Sequence, residues 1–300
     1  MAAPVLVVTL SNIGDLVMTT PVLETLSARY PASPIDIVGD ARSVDLLRAA
    51  PYVRKVLLRD KRGGIAAQWR LLRALRAERY ALAVDLRTPV IPFLVRATRR
   101  LIKRGVRGQM QHAVQEHHAI LAPLVGNTPA PYCRLYLDAA AMVAAAEVVA
   151  GLPGRNWLAV APGANWPGKR WPAEAYRALV ENMADDFDAV VVLGGPEDCT
   201  AARVLHGAHP ALLELCGRTT LPVAAALLAR TRAFVGNDSG LGHIAAALAI
   251  PTLTVFGPGQ PERYRPWGPR THVTFAPGCD LSRLGAATVA ADLRTLLEDT

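Results

Sequence analysis

The chain has 300 residues, of which 51% are hydrophobic and 19% are charged, so each half can bury a core and disorder is excluded. No apolar run reaches the roughly 18–20 residues of a membrane-spanning helix. The net charge of +8 is unevenly placed, since residues 1–150 carry 20 Lys/Arg against 11 Asp/Glu and residues 151–300 carry 13 against 14.

The N-terminus and the cysteines bear on compartment and redox state. The N-terminus enters a β-like run within four residues and shows no basic leader, which disfavours a signal peptide. The four cysteines are widely spaced and form no C-x-x-C pair, so neither a structural zinc site nor a disulfide framework is expected. We therefore expect a cytoplasmic protein.

The first half alternates short aliphatic runs with helical stretches. These runs lack polar alternation, as buried parallel strands do. Strands are predicted at Val5–Leu10, Ile35–Val38, Val53–Leu58 and Ala81–Leu86. Helices are predicted at Leu16–Arg29 and Ile65–Arg79. The order indicates a parallel sheet covered by helices on both faces.

The second half repeats the scheme after a helix over 139–150 and a Gly151–Gly154 linker, so a domain boundary is predicted near residue 152. Strands are predicted at Trp157–Ala161, Ala189–Leu193, Ala211–Leu215, Ala233–Val235, Thr252–Phe256 and His272–Phe275. Helices are predicted at Ala173–Met183, Thr200–Gly207, Val223–Ala229 and His243–Ala249, with a closing helix at Ala286–Glu298. We expect two Rossmann-like domains, 1–152 and 153–300, facing each other across a cleft.

Ligands of open α/β sheets bind beyond the carboxyl ends of the strands, so the loops that follow strands were considered for chemistry. The Ser11–Asp15 loop is too short for a phosphate-binding loop, and its acidic residue repels phosphate. Asp15 at the start of a helix fits a general base facing the cleft. The alternative is that Asp15 only stabilises the helix N-terminus.

Three loops of the second half fit an anionic or sugar ligand. The Pro162–Pro172 loop, rich in Gly, Trp and Pro, carries Lys169 and Arg170, which suit a pyrophosphate. Glu197 follows a strand and can accept from ribose hydroxyls, or can simply cap the next helix. The Gly236–His243 turn offers backbone N–H groups to a diphosphate, with Asp238 as an acceptor for sugar hydroxyls.

These motifs, in this order, resemble those of the bacterial lipopolysaccharide heptosyltransferases, glycosyltransferase family 9. The resemblance rests on Ser11–Asp15 with Pro21, on the Pro162–Pro172 loop, and on Asp238–His243 with the following Ala-rich helix and Phe256–Pro258. It spans nearly the whole chain, and the Asp238–His243 motif is the most specific part.

The resemblance implies a GT-B fold and an inverting transfer of heptose from ADP-heptose to the anionic inner core of lipopolysaccharide. It implies that Asp15 is the general base. No cofactor or catalytic metal is expected beyond the nucleotide-sugar donor. The donor-binding residues that it implies are Lys169, Glu197, Asp238, Ser239, Gly240, Leu241 and His243.

The basic first half is predicted to bind the anionic glycolipid acceptor, with peripheral association at the cytoplasmic face of the inner membrane. Acceptor contacts are assigned to Asn12, Gly14, Arg96, Arg99 and Arg100. The last three belong to a basic cluster over 96–107 that could equally be the solvated face of a helix. Nucleic acid is disfavoured because no basic–aromatic motif is present.

Three other functions stay open at this stage. The enzyme could be a family 9 transferase that uses another nucleotide sugar or an acceptor other than lipopolysaccharide. It could be a nucleotide-sugar epimerase of the same fold. It could also be a non-enzymatic module that binds an anionic polymer, although this would leave Asp15 and the glycine-rich turns unused.

Overall fold

The computed structural model describes residues 2–60, 63–87, 90–103 and 112–298. It divides into two compact units, Met1–Tyr136 and Leu137–Thr300. Each unit is a parallel sheet with helices in its crossover connections, as the alternation of strand-like and helix-like segments predicted.

The first unit is built on a sheet with the strand order β3-β2-β1-β4-β5. Its strands are β1 (Val5–Val8), β2 (Ile35–Gly39), β3 (Val53–Leu58), β4 (Arg79–Asp85) and β5 (Arg96–Ile102). Its helices are α1 (Ile13–Val17), α2 (Thr20–Arg29), α3 (Gly64–Arg76), α4 (Ile91–Leu94), α5 (Ala113–His118) and α6 (Ala122–Val125). The central strand β1 is buried along its whole length.

The helix predicted at Leu16–Arg29 is divided into α1 and α2. Thr19 and Thr20 at the break donate their hydroxyls to the carbonyls of Leu16 and Val17, at 2.6 and 2.8 Å. Pro21 has no N–H to continue the helical ladder and lies in the first turn of α2, where none is needed. The break therefore follows from the local Thr-Thr-Pro sequence.

The segment from Arg96 to Ile102 is an edge strand, so the prediction that the basic cluster could be a helix face is wrong for this part. β5 pairs in parallel with β4, placing Arg96 beside Arg79 and Ile102 beside Asp85. Charged side chains on an edge strand discourage pairing with a further strand. Arg104 and Arg107 lie outside the described residues.

The second unit is built on a sheet with the order β11-β10-β9-β6-β7-β8. Its strands are β6 (Trp157–Ala161), β7 (Ala189–Val192), β8 (Leu212–Glu214), β9 (Ala233–Asn237), β10 (Thr252–Phe256) and β11 (Thr271–Phe275). Its helices are α7 (Ala139–Val148), α8 (Ala173–Asn182), α9 (Cys199–Val204), α10 (Leu221–Leu228), α11 (Gly240–Ala247), α12 (Pro261–Tyr264) and α13 (Ala286–Glu298).

The division between the units falls at Tyr136/Leu137, whereas the sequence placed a boundary near residue 152. The difference is α7, which packs against α10 and so belongs to the second unit. The sequence assigned this Ala-rich helix to the first domain because the Gly151–Gly154 linker follows it.

Candidate active site

In the first unit, Asp15 lies in the first turn of α1, which begins shortly after β1 ends. The amide nitrogen of Asn12 donates to Asp15 Oδ2 at 2.9 Å, and the Asn12 carbonyl accepts from the Leu16 N–H. The side chain of Asp15 is half-buried and that of Asn12 is exposed. Gly14 lies between them, in the same turn. Asn12 therefore orients the carboxylate without neutralising its charge.

The loop that carries Asn12 is held by its neighbours at the carboxyl edge of the sheet. The guanidinium of Arg87 donates to the hydroxyl of Ser11, and Ser43 donates its hydroxyl to the Ser11 carbonyl at 3.1 Å. The Arg87 N–H in turn donates to Asp85 Oδ1 at 2.9 Å. Because these contacts come from the segments after β2 and β4, the whole edge fixes the position of the loop.

Arg59 is a cation at this edge that the sequence analysis missed. It follows β3, and its backbone N–H donates to the Gly39 carbonyl at 2.8 Å. Burial lowers the pKa of its guanidinium from the usual value, and repulsion by Arg87 lowers it further, while Asp85 and Asp40 raise it. Its Nη1 atom is buried and has no hydrogen-bond partner within the described part of the chain. Arg59 and Arg87 are thus well placed to attract an anion.

The three arginines that the sequence assigned to the acceptor are placed differently. Arg96 lies at the amino end of β5, about 20 Å along the strand from the carboxyl edge. Arg99 is exposed on the same edge strand. Arg100 donates to the Pro92 and Val95 carbonyls at 2.7 and 3.3 Å, so it holds the turn after α4. Lys103, beyond the strand, pairs with buried Glu116 at 2.5 Å.

In the second unit, Asn237 joins two of the loops that the sequence singled out. It is the last residue of β9 and is fully buried. Its amide nitrogen donates to the Pro162 and Gly163 carbonyls, at 2.8 and 3.2 Å, and its oxygen accepts from the Trp171 N–H at 2.9 Å. Both ends of the Pro162–Pro172 loop are therefore fixed to the end of a neighbouring strand.

This arrangement brings Lys169 to Asp238. The ammonium of Lys169 lies 2.5 Å from Asp238 Oδ2, and the two side chains are 32% and 9% exposed. On the other side lies Gly259, in the loop after β10. A Cβ atom added to this glycine would lie 3.1 Å from the same carboxylate oxygen, so the backbone of this loop approaches Asp238 closely. Three loops therefore meet around one neutral ion pair.

Helix α11 starts next to Asp238. Ser239 is its N-cap, in an extended conformation, and its hydroxyl makes no capping hydrogen bond. The first N–H groups of a helix have no intrahelical acceptor, and they carry the positive end of the helix dipole. Gly240 and Leu241 are half-buried in this first turn, whereas His243 is only 5% exposed.

Two carboxylates follow β7, Glu197 and Asp198, and they differ in their contacts. Asp198 Oδ2 accepts from the Gly195 N–H at 2.9 Å and caps the turn that precedes α9. Burial is the main reason that the pKa of Asp198 is raised, and the nearby charge of Glu197 adds to the shift. Glu197 itself is exposed. Since Asp198 occupies the capping position, the carboxylate of Glu197 is available to a ligand.

The described residues contain neither a group of three or more His, Cys, Asp or Glu side chains that could hold a metal ion nor a helix long and apolar enough to cross a membrane. The predicted donor residues are gathered at the carboxyl edge of the second sheet. Asp15, Asn12 and Gly14 lie at the corresponding edge of the first sheet.

Comparisons with known proteins identify the family of this chain. The sequence pattern of glycosyltransferase family 9 (heptosyltransferase) matches residues 68–280. The lipopolysaccharide heptosyltransferase 2 of Salmonella typhimurium is 29% identical over an alignment of 297 residues, covering 86% of this chain and 84% of that protein.

Solved structures show the same fold. That of Escherichia coli ADP-heptose lps heptosyltransferase II has a TM-score of 0.85 and 24% identity, covering 99% of both chains. That of a family 9 glycosyl transferase from Veillonella parvula has a TM-score of 0.89 and 21% identity, covering 99% of this chain and 98% of its own. Because the family pattern extends over well more than half of its length, the chain belongs to glycosyltransferase family 9, the heptosyltransferases, and is a glycosyltransferase with the GT-B fold.

Proposed function

We propose that this enzyme transfers heptose, with inversion, from ADP-heptose to an anionic sugar of the lipopolysaccharide inner core. The observation that carries the proposal is the Lys169–Asp238 pair beside the N-terminus of α11. The names of the relatives support it, since the Salmonella protein is a lipopolysaccharide heptosyltransferase and the Escherichia coli structure is called an ADP-heptose enzyme.

The donor's diphosphate is proposed to bind Lys169 and the free N–H groups of Ser239, Gly240 and Leu241. A helix N-terminus and a lysine together form a strong site for phosphate oxygens. They also stabilise the negative charge that develops on ADP as it leaves. The single carboxylate nearby, Asp238, is neutralised by Lys169, so it does not repel the diphosphate, and it can accept from a sugar hydroxyl. His243 is buried, which limits its ring to a supporting contact.

Glu197 is proposed to accept hydrogen bonds from the ribose hydroxyls. It is exposed beyond the carboxyl end of β7, the position at which acidic residues contact ribose in nucleotide-binding α/β folds. Its neighbour Asp198 is already engaged with the Gly195 N–H.

Asp15 is proposed as the general base. The acceptor oxygen attacks C1 of the heptose as the C1–O bond to the diphosphate breaks, and ADP leaves with the bonding electrons. Asp15 takes the proton of the acceptor hydroxyl in the same step. Asn12 holds one carboxylate oxygen, Oδ2, and leaves Oδ1 for the acceptor. One base and one leaving-group site suffice for an inverting displacement, which has no covalent enzyme intermediate.

The acceptor is proposed to be anionic because the first unit is cationic. Residues 1–136 carry 20 Lys/Arg against nine Asp/Glu, a net charge of +11. At the same edge as Asp15, Arg87 contacts Ser11 of the loop that carries the proposed base, and Arg59 lies within the electrostatic influence of Arg87. Arg96 and Arg99 remain proposed as a second, more distant set. Since such an acceptor is lipid-anchored, the reaction would take place at a membrane surface, and a cytoplasmic location stays a prediction.

The proposal is tested by a donor screen. The enzyme is incubated with a panel of nucleotide sugars, with and without deacylated inner-core oligosaccharide, and products are identified by mass spectrometry. We expect a mass gain of one heptose on the oligosaccharide and release of ADP only when the acceptor is present. Transfer from another nucleotide sugar, or conversion of the donor without acceptor, would overturn the donor assignment or the transfer reaction, respectively.

A further inference from the structure

Large hydrophobic side chains are exposed in one stretch of the first unit. Ile65, Trp69 and Phe93 are 74%, 63% and 60% exposed. Within the described ranges, half of the exposed large hydrophobic residues lie between positions 58 and 94: Leu58, Ile65, Trp69, Val90, Phe93 and Leu94. Single exposed hydrophobic residues are ordinary, but a group of this kind marks an interaction surface.

Helix α3 carries apolar side chains both toward the core and toward solvent. Leu71 and Leu75 pack against Tyr80 and Val95 of the first unit's core. The same two leucines also line an open cavity of about 350 Å³, whose further lining includes Trp69 and Leu72 of α3 and Val90, Ile91 and Leu94 at α4. Ile65 and Trp69 line this cavity and are exposed, so packing in the core does not account for them.

The same stretch is cationic. Residues 58–94 carry eight Lys/Arg and three Asp/Glu, a net charge of +5. On α3, Arg70, Arg73 and Arg76 are all exposed, and neither α3 nor α4 contains an acidic residue. Apolar and cationic side chains therefore share one exposed region, the α3–α4 surface.

This combination fits an anionic bilayer. Interfacial helices place Trp, Phe and Leu at the boundary of headgroups and acyl chains, while Arg and Lys reach the headgroup phosphates. Basic residues near such a surface are attracted by its negative potential. A second copy of the chain would bring the same excess of positive charge, and like charges oppose that pairing.

We propose that the α3–α4 surface docks on an anionic phospholipid bilayer, with Trp69 and Phe93 in the interfacial layer and Arg70 and Arg73 on headgroup phosphates. The inference rests on the proposed function, in which the acceptor is lipid-anchored. Arg59 and Asp60 line the same cavity as α3 and α4. The docked surface therefore continues to the carboxyl edge of the first sheet, where Arg59 would meet the anionic sugars of an acceptor that stands in the bilayer.

The test is vesicle flotation of the full-length protein. Vesicles of phosphatidylethanolamine with about one third phosphatidylglycerol are compared with vesicles of phosphatidylcholine alone, at low and high salt. The variant Trp69→Ser/Phe93→Ser removes two exposed side chains. The matched control is Met142→Ser/Val143→Ser on α7 of the second unit, where the side chains are 51% and 60% exposed.

We expect wild-type binding to require phosphatidylglycerol and to weaken with salt. The Trp69→Ser/Phe93→Ser variant should bind about tenfold more weakly, since it loses most of the apolar insertion, whereas the control should match wild type. Arg70→Gln/Arg73→Gln should lose the salt dependence. Thermal melting checks that each variant is folded.

Flotation of the double serine variant at the wild-type level would overturn the proposal. So would a wild-type dimer, detected by light scattering, that the same variant converts to monomer, because the occupant would then be a second copy. Flotation uses no sugar donor, so its failure is separate from failure of the donor screen. If the wild-type enzyme is active in the donor screen, the Trp69→Ser/Phe93→Ser variant should transfer to the deacylated oligosaccharide at the wild-type rate. Its transfer to an acceptor embedded in vesicles should fall.

Discussion

Asp15 in the first unit and Asp238 in the second each lie just beyond a buried parallel strand, yet their surroundings differ. Asp15 receives one neutral hydrogen bond within the described part of the chain, from Asn12, at 2.9 Å. Asp238 is almost buried and is paired with the ammonium of Lys169 at 2.5 Å. A general base needs a charged carboxylate with an open oxygen, whereas a diphosphate site tolerates a carboxylate only when its charge is offset.

The two edges also differ in how their loops are held. In the second unit, Asn237 fixes the loop of Lys169 through three hydrogen bonds from one buried side chain. In the first unit, the loop of Asp15 is held by Ser43 and Arg87, and the partly buried guanidinium of Arg59 lies nearby. This difference supports the proposal that the second edge binds a fixed ligand group such as a diphosphate and that the first edge offers cations to an acceptor.

The largest effect is expected for Asp15→Asn. The amide preserves the shape of the side chain but cannot take a proton, so transfer should fall by about 10²–10⁴-fold. ADP affinity, measured by calorimetry, should stay at the wild-type level because the proposed donor-binding residues belong to the second unit. Asp45→Asn, which changes an exposed carboxylate paired with Arg48, serves as the control. Near-normal turnover of a folded Asp15→Asn enzyme would remove the general-base assignment.

Next in size is Lys169→Ala. Losing a charge-assisted contact to phosphate, and leaving Asp238 unpaired beside it, should weaken both ADP and ADP-heptose by about 10–100-fold. Lys55→Ala is a suitable comparison, because Lys55 is also paired with a carboxylate, Glu78, at 2.6 Å but lies on β3 of the first unit. Calorimetric affinities that match wild type would make the Lys169–Asp238 pair a structural contact only.

A smaller effect distinguishes the two sets of arginines in the first unit. Arg59→Gln and Arg87→Gln should each raise the KM for the acceptor by about two- to fivefold, as expected for partly screened charges, and should reduce its salt dependence. Arg96→Gln and Arg99→Gln should change it less, since Arg96 lies at the opposite end of β5. The affinity for ADP should be unchanged in all four. A larger effect of Arg96 and Arg99 would restore them as the main acceptor platform.

The smallest effect concerns Asp198, whose raised pKa is mainly caused by burial. The folded state holds this proton to higher pH than the unfolded chain, so its contribution to stability is present below pH 3.8 and is lost as pH rises through the raised pKa. An Asn at this position has no proton to lose. The free energy of unfolding of Asp198→Asn, relative to wild type, should therefore increase as pH rises above 3.8 and become constant above the raised pKa. A difference that does not change with pH would show that burial does not penalise the carboxylate.

Much of the architecture could be predicted because buried parallel strands consist of continuous runs of aliphatic residues, which the sequence shows directly. The strands at Val53–Leu58, Trp157–Ala161 and Thr252–Phe256 and the helix at Ala286–Glu298 have the predicted bounds. The exception is β5, which was not predicted as a strand because it contains three arginines. An edge strand can carry charges because one side of it faces solvent, and that position is decided by the sheet and not by the local sequence.

The sequence by itself determined the succession of strands and helices and the loops after strands, which contain Asp15, Lys169, Glu197 and Asp238. Only the tertiary structure decided which charges meet. Lys169 and Asp238 form an ion pair although they are 69 residues apart in the chain. Arg87 repels the guanidinium of Arg59 because β3 and β4, which precede these residues, belong to one sheet. Local patterns arise from burial and backbone geometry within a few residues, whereas the state of a carboxylate or a guanidinium depends on neighbours that distant segments supply.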